Sequence, residues 1–172
     1  MIQTERLTLK PLTMVYLEST HRYASNAEIT RYMAFLPNRS LEETQAFIRD
    51  AEAEWAKPDP SYWEFAILKD GVHIGGASMF ALDEPGGAEL GWILDPRFWG
   101  HGYATEAARG VMDFGRGRWG FTKFIAQCDA ENAASARVME RLGMCLISRT
   151  GGRKNRSSQK EREELTYEIV FD

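Results

Sequence analysis

Two glycines separated by one residue, Gly100 and Gly102, lie where a strand-like run gives way to a helix-like run. Residues 88–94 have the length and the aromatic and β-branched bias of a strand, and residues 105–118 carry apolar or small side chains at helical spacing. A glycine-bearing loop that leads into a helix presents backbone N–H groups and the positive end of the helix dipole to an anion. Glycine also lacks the Cβ atom that would hold a phosphate away from this backbone. The pattern therefore predicts a site for a phosphate-bearing ligand in the middle of the chain.

Three kinds of phosphate-binding loop can be compared with this segment. A Walker-type loop requires Lys-Ser/Thr after the last glycine, where this chain has Tyr103 and Ala104. A dinucleotide fingerprint requires Gly or Ala three positions after the second glycine, where this chain has Thr105. The pattern Arg/Gln-x-x-Gly-x-Gly/Ala is matched by Arg97 to Gly102, which resembles the acetyl-CoA pyrophosphate loop of the GNAT family of N-acetyltransferases. A glycine-rich surface turn is the alternative for this motif taken alone.

A second segment carries the same resemblance. Residues 129–144 read as a capped helix after a strand candidate, with Asn132 as a good N-cap and Gly143 as a natural stop. Their pattern Asn-x-x-Ser-x-Arg-x-x-Glu-x-Leu-Gly-Met resembles the second cofactor-binding segment of the GNAT family. It is most similar to the subgroup that contains the ribosomal-protein N-terminal alanine acetyltransferases, and the opening run Thr4 to Leu12 is also typical of that subgroup. The three segments occur in family order across nearly the whole chain.

The resemblance implies acetyl-CoA as co-substrate, with no metal ion. Arg97 is expected to support the pyrophosphate by charge and hydrogen bonding, and His101 to contact phosphate or simply solvent. Backbone N–H groups near Trp92 and Ile93 are expected to bind the pantetheine amides and the oxyanion, and Asn132 to bind pantetheine while capping its helix. The full set of expected cofactor-binding residues is Trp92, Ile93, Leu94, Arg97, Phe98, Trp99, Gly100, His101, Gly102, Tyr103, Ala104, Thr105, Asn132 and Ser135.

Acetyl transfer to an amine requires a neutral amine, a stabilised oxyanion and a protonated leaving thiolate. An α-amino group, with a pKa near 7.7–8.0, needs less help from a base than a lysine side chain, with a pKa near 10.4. Glu89 is the candidate general base, directly or through water, because it lies on the strand that should run along the acyl group. Its alternative is a solvent-facing carboxylate on an edge strand. The resemblance implies that Ser135 donates a proton to the thiolate; its alternative is an ordinary first-turn helix serine.

The coarse pattern predicts the element order β-α-α-β-β-β-α-β-α-β-β, in a single N-acetyltransferase domain over residues 1–172. Asp70-Gly71 predicts an antiparallel hairpin, and the polar residues 151–164 predict a long mobile loop between two strands. The resemblance implies an α/β (α+β) fold with a mixed, mostly antiparallel, twisted sheet of about seven strands and about four flanking helices. It also implies a wedge where the strand before the glycine loop diverges from the next strand. Gly91 is either a bulge in that strand or a packing glycine.

Composition narrows the class of protein further. The chain has 172 residues, 44 % of them hydrophobic and 27 % charged, which suits one ordinary globular domain. A net charge of −4 argues against a nucleic-acid partner. Because the chain has no secretory segment and no apolar run near the roughly 20 residues that span a bilayer, we expect a cytoplasmic protein without a membrane partner. Cys128 and Cys145 lie in strand-like runs and are expected to be buried free thiols.

Together these patterns predict an acetyl-CoA-dependent N-acetyltransferase that forms a ternary complex and transfers acetyl directly to a primary amine. The acceptor is a protein N-terminus, which the resemblance favours, or a small-molecule amine. Two other functions remain open at this point: a non-catalytic acyl-CoA-binding regulator, and a nucleotide-cofactor oxidoreductase. The sequence is compatible with a monomer or a homodimer.

Overall fold

Eight strands form one sheet in which a single pair is parallel. A computed structural model describes the whole chain, Met1–Asp172. Its strands and helices, in chain order, are β1 (Ile2–Gln3), β2 (Thr8–Pro11), α1 (Leu17–Ala24), α2 (Leu41–Trp55), β3 (Tyr62–Lys69), β4 (Val72–Ala81), β5 (Gly87–Leu94), α3 (Tyr103–Trp119), β6 (Lys123–Asp129), α4 (Ala133–Arg141), β7 (Cys145–Lys154) and β8 (Glu161–Val170). The spatial order is β1-β2-β3-β4-β5-β6-β8-β7, and only β5 and β6 run parallel. The predicted fold class is confirmed, with eight strands in place of about seven because the two-residue β1 carries no periodic signal.

Helices cover both faces of the sheet, and successive side chains along a strand point alternately to these two faces. Phe65 and Ile67 belong to the main core, which includes Val111 of α3. Ala66 lies between them in sequence and belongs to a second cluster with Ile48 of α2. Because successive strand residues point to opposite faces, α3 packs against one face and α2 against the other. The site described below lies at the ends of β5, α3 and α4.

Local signals account for the element boundaries near the site. The β3–β4 hairpin turns at Asp70 (φ 49°) and Gly71 (φ 79°), as the Asp-Gly pair predicts. The side chain of Ser40 accepts a hydrogen bond from the N–H of Glu43 at the start of α2. The 3₁₀ turn Met14–Tyr16 precedes α1, and Thr13 before it makes no side-chain cap.

The prediction of a long mobile loop over residues 151–164 is wrong. Most of this range belongs to β7 and β8, which form a long antiparallel hairpin joined by residues 155–160. Charged pairs stabilise it across the strands: Arg149 with Glu163, and Arg153 with Glu164. The strands carry charged side chains instead of an apolar face, so their sequence reads as a loop.

The two cysteines differ in environment. Cys128 is a buried free thiol, and burial raises its pKa to about 11. Cys145 is also free but exposed, contrary to expectation, because it begins the edge strand β7. None of the helices combines the length and the apolar character that crossing a bilayer requires. No group of three or more His, Cys, Asp or Glu side chains is arranged to hold a metal ion.

Candidate active site

The parallel strands β5 and β6 separate at Glu89. Their pairing covers three positions and ends where Glu89 lies opposite Ile125, while β6 continues along β8 to Asp129. Residues 90–94 of β5 are therefore bonded to β4 alone. The expected wedge is present. Its cause is not a bulge at Gly91, since the β4–β5 register is continuous there, and a Cβ on Gly91 would lie 2.5 Å from Ser78 Oγ. Gly91 is thus the packing glycine of the two alternatives.

The glycine loop points a row of backbone donors outward. Gly100 and Gly102 both adopt positive φ angles, of 78° and 79°, and α3 begins directly afterwards at Tyr103. None of the six N–H groups from Gly100 to Thr105 donates to an acceptor within the chain. A seventeen-residue helix adds the positive end of its dipole at the same point. This geometry fits a diphosphate, which can accept several N–H bonds at once.

A cleft of about 600 Å³ joins the wedge, the glycine loop and the start of α4. Twelve of the fourteen expected cofactor-binding residues line it, although they come from three separate stretches of chain. These twelve are Trp92, Ile93, Leu94, Phe98, Trp99, Gly100, Gly102, Tyr103, Ala104, Thr105, Asn132 and Ser135.

Arg97 and His101 are the two that lie outside the cleft lining. The guanidinium of Arg97 forms a two-pronged ion pair with the carboxylate of Asp95, with contacts of 3.0 and 2.7 Å. This pair stabilises the 3₁₀ turn Pro96–Phe98 that precedes the glycines. His101 is exposed, and its Nδ1 lies 2.7 Å from the carbonyl oxygen of Trp99. Their expected roles at the pyrophosphate stay predictions.

Asn132 and Ser135 form a reciprocal cap at the start of α4. Asn132 Oδ1 accepts a hydrogen bond from the N–H of Ser135 at 3.2 Å, and Asn132 Nδ2 donates to Ser135 Oγ at 3.1 Å. The cap fixes Ser135 Oγ as an acceptor on one side. Its own O–H hydrogen therefore remains available to a group in the cleft.

One wall of the cleft was missed by sequence reasoning. The connection between α1 and α2 contributes Glu28, Ile29, Arg31, Tyr32 and Met33. This segment has no periodicity or motif that marks it as part of a site.

Two arginines of α4 were also missed. Arg137 and Arg141 line the cleft, and their i, i+4 spacing places both on one face of α4. That spacing is a signal that the sequence offered. With the start of α3, they make this part of the cleft suited to an anion.

The β7–β8 hairpin holds the wall in place. Arg153 donates to the carbonyl oxygen of Tyr32 at 2.9 Å, and Arg156 donates to that of Phe35 at 3.2 Å. Arg153 is itself paired with Glu164 of β8. The wall therefore depends on residues more than a hundred positions away in sequence.

Two carboxyl groups with raised pKa values lie on β5 and β3, Glu89 half-buried and Glu64 buried. Glu89 lies on a central strand, not at a sheet edge. Burial is the main cause that raises its pKa; the charge of Glu164 raises it further, and the charge of Arg153 lowers it. Glu64 is 9 % exposed, and burial raises its pKa to about 8. The register places Glu64 opposite Ser78 and Glu89 opposite Phe80, on the same face of the sheet.

Comparison with known proteins identifies the family. Residues 6–145 match the family model described as the acetyltransferase (GNAT) domain. The chain belongs to the GNAT family. It is an N-acetyltransferase that uses acetyl-CoA, as the glycine loop and the Asn132 segment predicted. The regulator and oxidoreductase alternatives are thereby set aside.

Individual relatives agree with this assignment. "Uncharacterized N-acetyltransferase YnaD" of Bacillus subtilis is 27 % identical over 146 residues, which cover 83 % of this chain and 81 % of the relative. RimL, a ribosomal L7/L12 alpha-N-protein acetyltransferase solved with coenzyme A, shares the fold with a TM-score of 0.86 at 18 % identity, over 98 % of this chain and 96 % of RimL. Spermidine N-acetyltransferase of Vibrio cholerae, solved with CoA and spermine, has a TM-score of 0.83 at 18 % identity, over 96 % and 95 % of the two chains.

Proposed function

We propose that this GNAT enzyme transfers acetyl from acetyl-CoA directly to a primary amine within a ternary complex, and that the acceptor carries an α-amino group. The observation that carries the proposal is the row of six outward N–H groups beside a strand fork whose last paired residue is Glu89. Acetyl-CoA supplies the activated acetyl group as its thioester. The chain supplies binding, orientation and proton transfer.

The glycine loop and the first turn of α3 are the proposed holders of the diphosphate. The backbone of residues 90–94, which lacks a partner strand on the β6 side, runs alongside the wedge and is proposed to bind the pantetheine amides. One N–H there, near Trp92 or Ile93, would stabilise the oxygen that becomes negative as the amine attacks. These roles need no covalent acetyl-enzyme.

Glu89 is proposed as the general base. A carboxylate in water, with a pKa near 4.3, is a poor match for an amine that must lose its proton near neutrality. Burial of Glu89 raises its pKa and so makes it a better proton acceptor. Glu89 is the last residue of β5 that pairs with β6, and it does not line the cleft, so we propose that the proton reaches it through water.

Ser135 is proposed to donate a proton to the thiolate that leaves as the amide forms. Asn132 Nδ2 donates to Ser135 Oγ, which leaves the serine O–H free to point into the cleft. The departing thiolate thus becomes a thiol, and Ser135 regains its proton from the nitrogen of the tetrahedral intermediate, directly or through water, as the C–S bond breaks and the amide forms. The proton that Glu89 takes from the incoming amine returns to solvent.

The acceptor is proposed to enter from the side lined by the α1–α2 connection. This wall presents Ile29, Tyr32 and Met33, side chains suited to packing against the part of the acceptor beyond the amine. An α-amino group is favoured because its pKa is lower than that of a lysine or polyamine amine, so one half-buried carboxylate can remove its proton more easily. A protein N-terminus is the first candidate, and a small molecule with an α-amine the second. A cytoplasmic location is part of the same proposal.

Two measurements test the proposal. Thermal unfolding with coenzyme A or with NAD should show stabilisation by coenzyme A alone. Free-thiol release from acetyl-CoA should then be followed with short peptides that have free or blocked N-termini, with single amino acids, and with spermidine. Peptides with free N-termini should give thiol release and a product heavier by one acetyl group. Turnover with spermidine but with no α-amine would contradict the proposed acceptor class. An acetyl group that remains on the protein after incubation with acetyl-CoA alone would contradict direct transfer.

A further inference from the structure

The glycine loop, residues 99–102, has few bonds that hold its shape. Its N–H groups from Gly100 onward have no acceptor within the chain, and two of its four residues are glycines with positive φ. One side chain from elsewhere in the chain bonds to its backbone: Arg6 Nη1 donates to the carbonyl oxygen of His101 at 3.0 Å. The conformation that presents the N–H groups therefore depends on a residue 95 positions earlier.

Arg6 also contacts two residues in the first turn of α3, Glu106 and Tyr103. Its Nε donates to Glu106 Oε2 at 2.7 Å, and its guanidinium lies 4.8 Å from the ring centroid of Tyr103. Glu106 Oε1 also accepts from the backbone N–H of Arg6 at 2.7 Å and from Thr4 Oγ1 at 2.6 Å. Arg6 thus bridges the first turn of α3 and the loop that precedes it.

Glu106 places a negative charge at the same end of α3 that is proposed to bind the diphosphate. It lies in the first turn of α3, and its side chain is 15 % exposed. Burial opposes its ionisation, but hydrogen bonds from Thr4 and Arg6 outweigh burial and lower its pKa. A carboxylate at a helix N-terminus would by itself compete with a phosphate for the same dipole. Its presence needs a reason, and the bridge through Arg6 supplies one.

We infer that Arg6 is a positioning residue for acetyl-CoA. Glu106 orients the Arg6 guanidinium, and the guanidinium binds the His101 carbonyl oxygen. This bond keeps the neighbouring N–H groups directed at the diphosphate. The inference rests on the proposed role of the glycine loop. It assigns the opening Thr4-Glu5-Arg6 run a function in cofactor binding although Arg6 lies outside the acetyl-CoA cleft.

Comparison of two acetyl donors, acetyl-CoA and S-acetylpantetheine, distinguishes this role from a general effect on stability. S-acetylpantetheine lacks the diphosphate, so its turnover should not depend on the glycine loop. Arg6→Lys keeps the charge but cannot form the planar two-sided bridge. If the loop then spends only about a tenth of its time in the binding conformation, the dissociation constant of coenzyme A rises about tenfold. We expect that rise for Arg6→Lys and Arg6→Ala, with kcat/KM for S-acetylpantetheine unchanged. Arg149→Ala, at an exposed ion pair of β7, is the control and should change neither value.

Glu106→Gln separates positioning from simple charge neutralisation. If Arg6 merely cancels the charge of Glu106, removing that charge should tighten coenzyme A binding. If Glu106 orients Arg6, the same variant should weaken binding.

Three results would overturn the inference: unchanged coenzyme A binding in both Arg6 variants, an equal loss with both donors, or tighter binding in Glu106→Gln. Failure of the wild-type protein to bind coenzyme A would instead contradict the proposed role of the loop.

Discussion

The buried carboxyl of Glu64 should make the stability of this enzyme depend on pH in a way that one substitution removes. Glu64 lies on β3 at 9 % exposure, and burial is the cause that raises its pKa from 4.5 to about 8. In the folded protein it therefore keeps its proton through neutral pH, whereas in the unfolded chain it loses that proton near pH 4.5.

The sign and size follow from linkage. An acid with a raised folded pKa contributes its full stability below its unfolded pKa, and this stability is lost as the pH rises through the folded pKa. Each pH unit between the two pKa values is worth about 1.4 kcal/mol. From pH 5.5 to 7.5, Glu64 alone should lower the free energy of unfolding by about 2.5 kcal/mol, because the folded carboxyl is already partly ionised at pH 7.5. For a domain of this size that loss corresponds to a fall in Tm of roughly 5–10 °C.

Glu64→Gln isolates the effect, because glutamine has nearly the same shape and no charge. The difference in unfolding free energy between variant and wild type should grow by about 2.5 kcal/mol in favour of the variant from pH 5.5 to 7.5, measured by urea denaturation. Taking the difference cancels other titrations, such as that of His73, whose pKa burial lowers to about 4 and whose effect on stability has the opposite sign. Exposed Glu161→Gln is the control. A difference that stays constant across this pH range would refute the reasoning.

Three further predictions concern the site. Glu89→Gln should lower kcat by about 100-fold or more and remove the acid limb of its pH profile, with coenzyme A affinity preserved in calorimetry; an unchanged kcat would exclude Glu89 as the base. Ser135→Ala should lower kcat by about 100-fold at unchanged acceptor KM in steady-state kinetics, and a loss confined to KM would reassign Ser135 to binding. Gly102→Ala should cost about 1–2 kcal/mol at its φ of 79° and weaken coenzyme A binding at least about fivefold. Gly117→Ala, in an open position of α3, should be tolerated in the same assays, and equal losses in both glycine variants would contradict the loop argument.

The parts of the site that could be predicted from the sequence are those encoded by neighbours in sequence. The glycine pair, the Asn132 cap and the Asp70-Gly71 turn each depend on backbone conformations that few residue types adopt. Such signals survive without tertiary context. They located most of the residues that line the cleft.

The parts that were missed depend on contacts between distant residues. The wall around Tyr32 is held by Arg153, and the strands of the β7–β8 hairpin carry charge where an apolar alternation would have marked them. The environment of Glu89 depends on which strand follows β5 in space, which is β6 and not a sheet edge. Neither strand order nor a hydrogen bond across 121 residues leaves a local pattern.

Arg153 connects the proposed acceptor wall to the proposed base. It donates to the carbonyl oxygen of Tyr32, pairs with Glu164, and by its charge lowers the pKa of Glu89, which Glu164 raises. Burial is the largest cause of the raised pKa of Glu89, and the two paired charges act on it in opposite directions. Any movement of the wall that drew Arg153 away from Glu164 would change the balance of charge at Glu89. The Arg153–Glu164 ion pair therefore contributes both to the position of the proposed acceptor wall and to the charge around the proposed base.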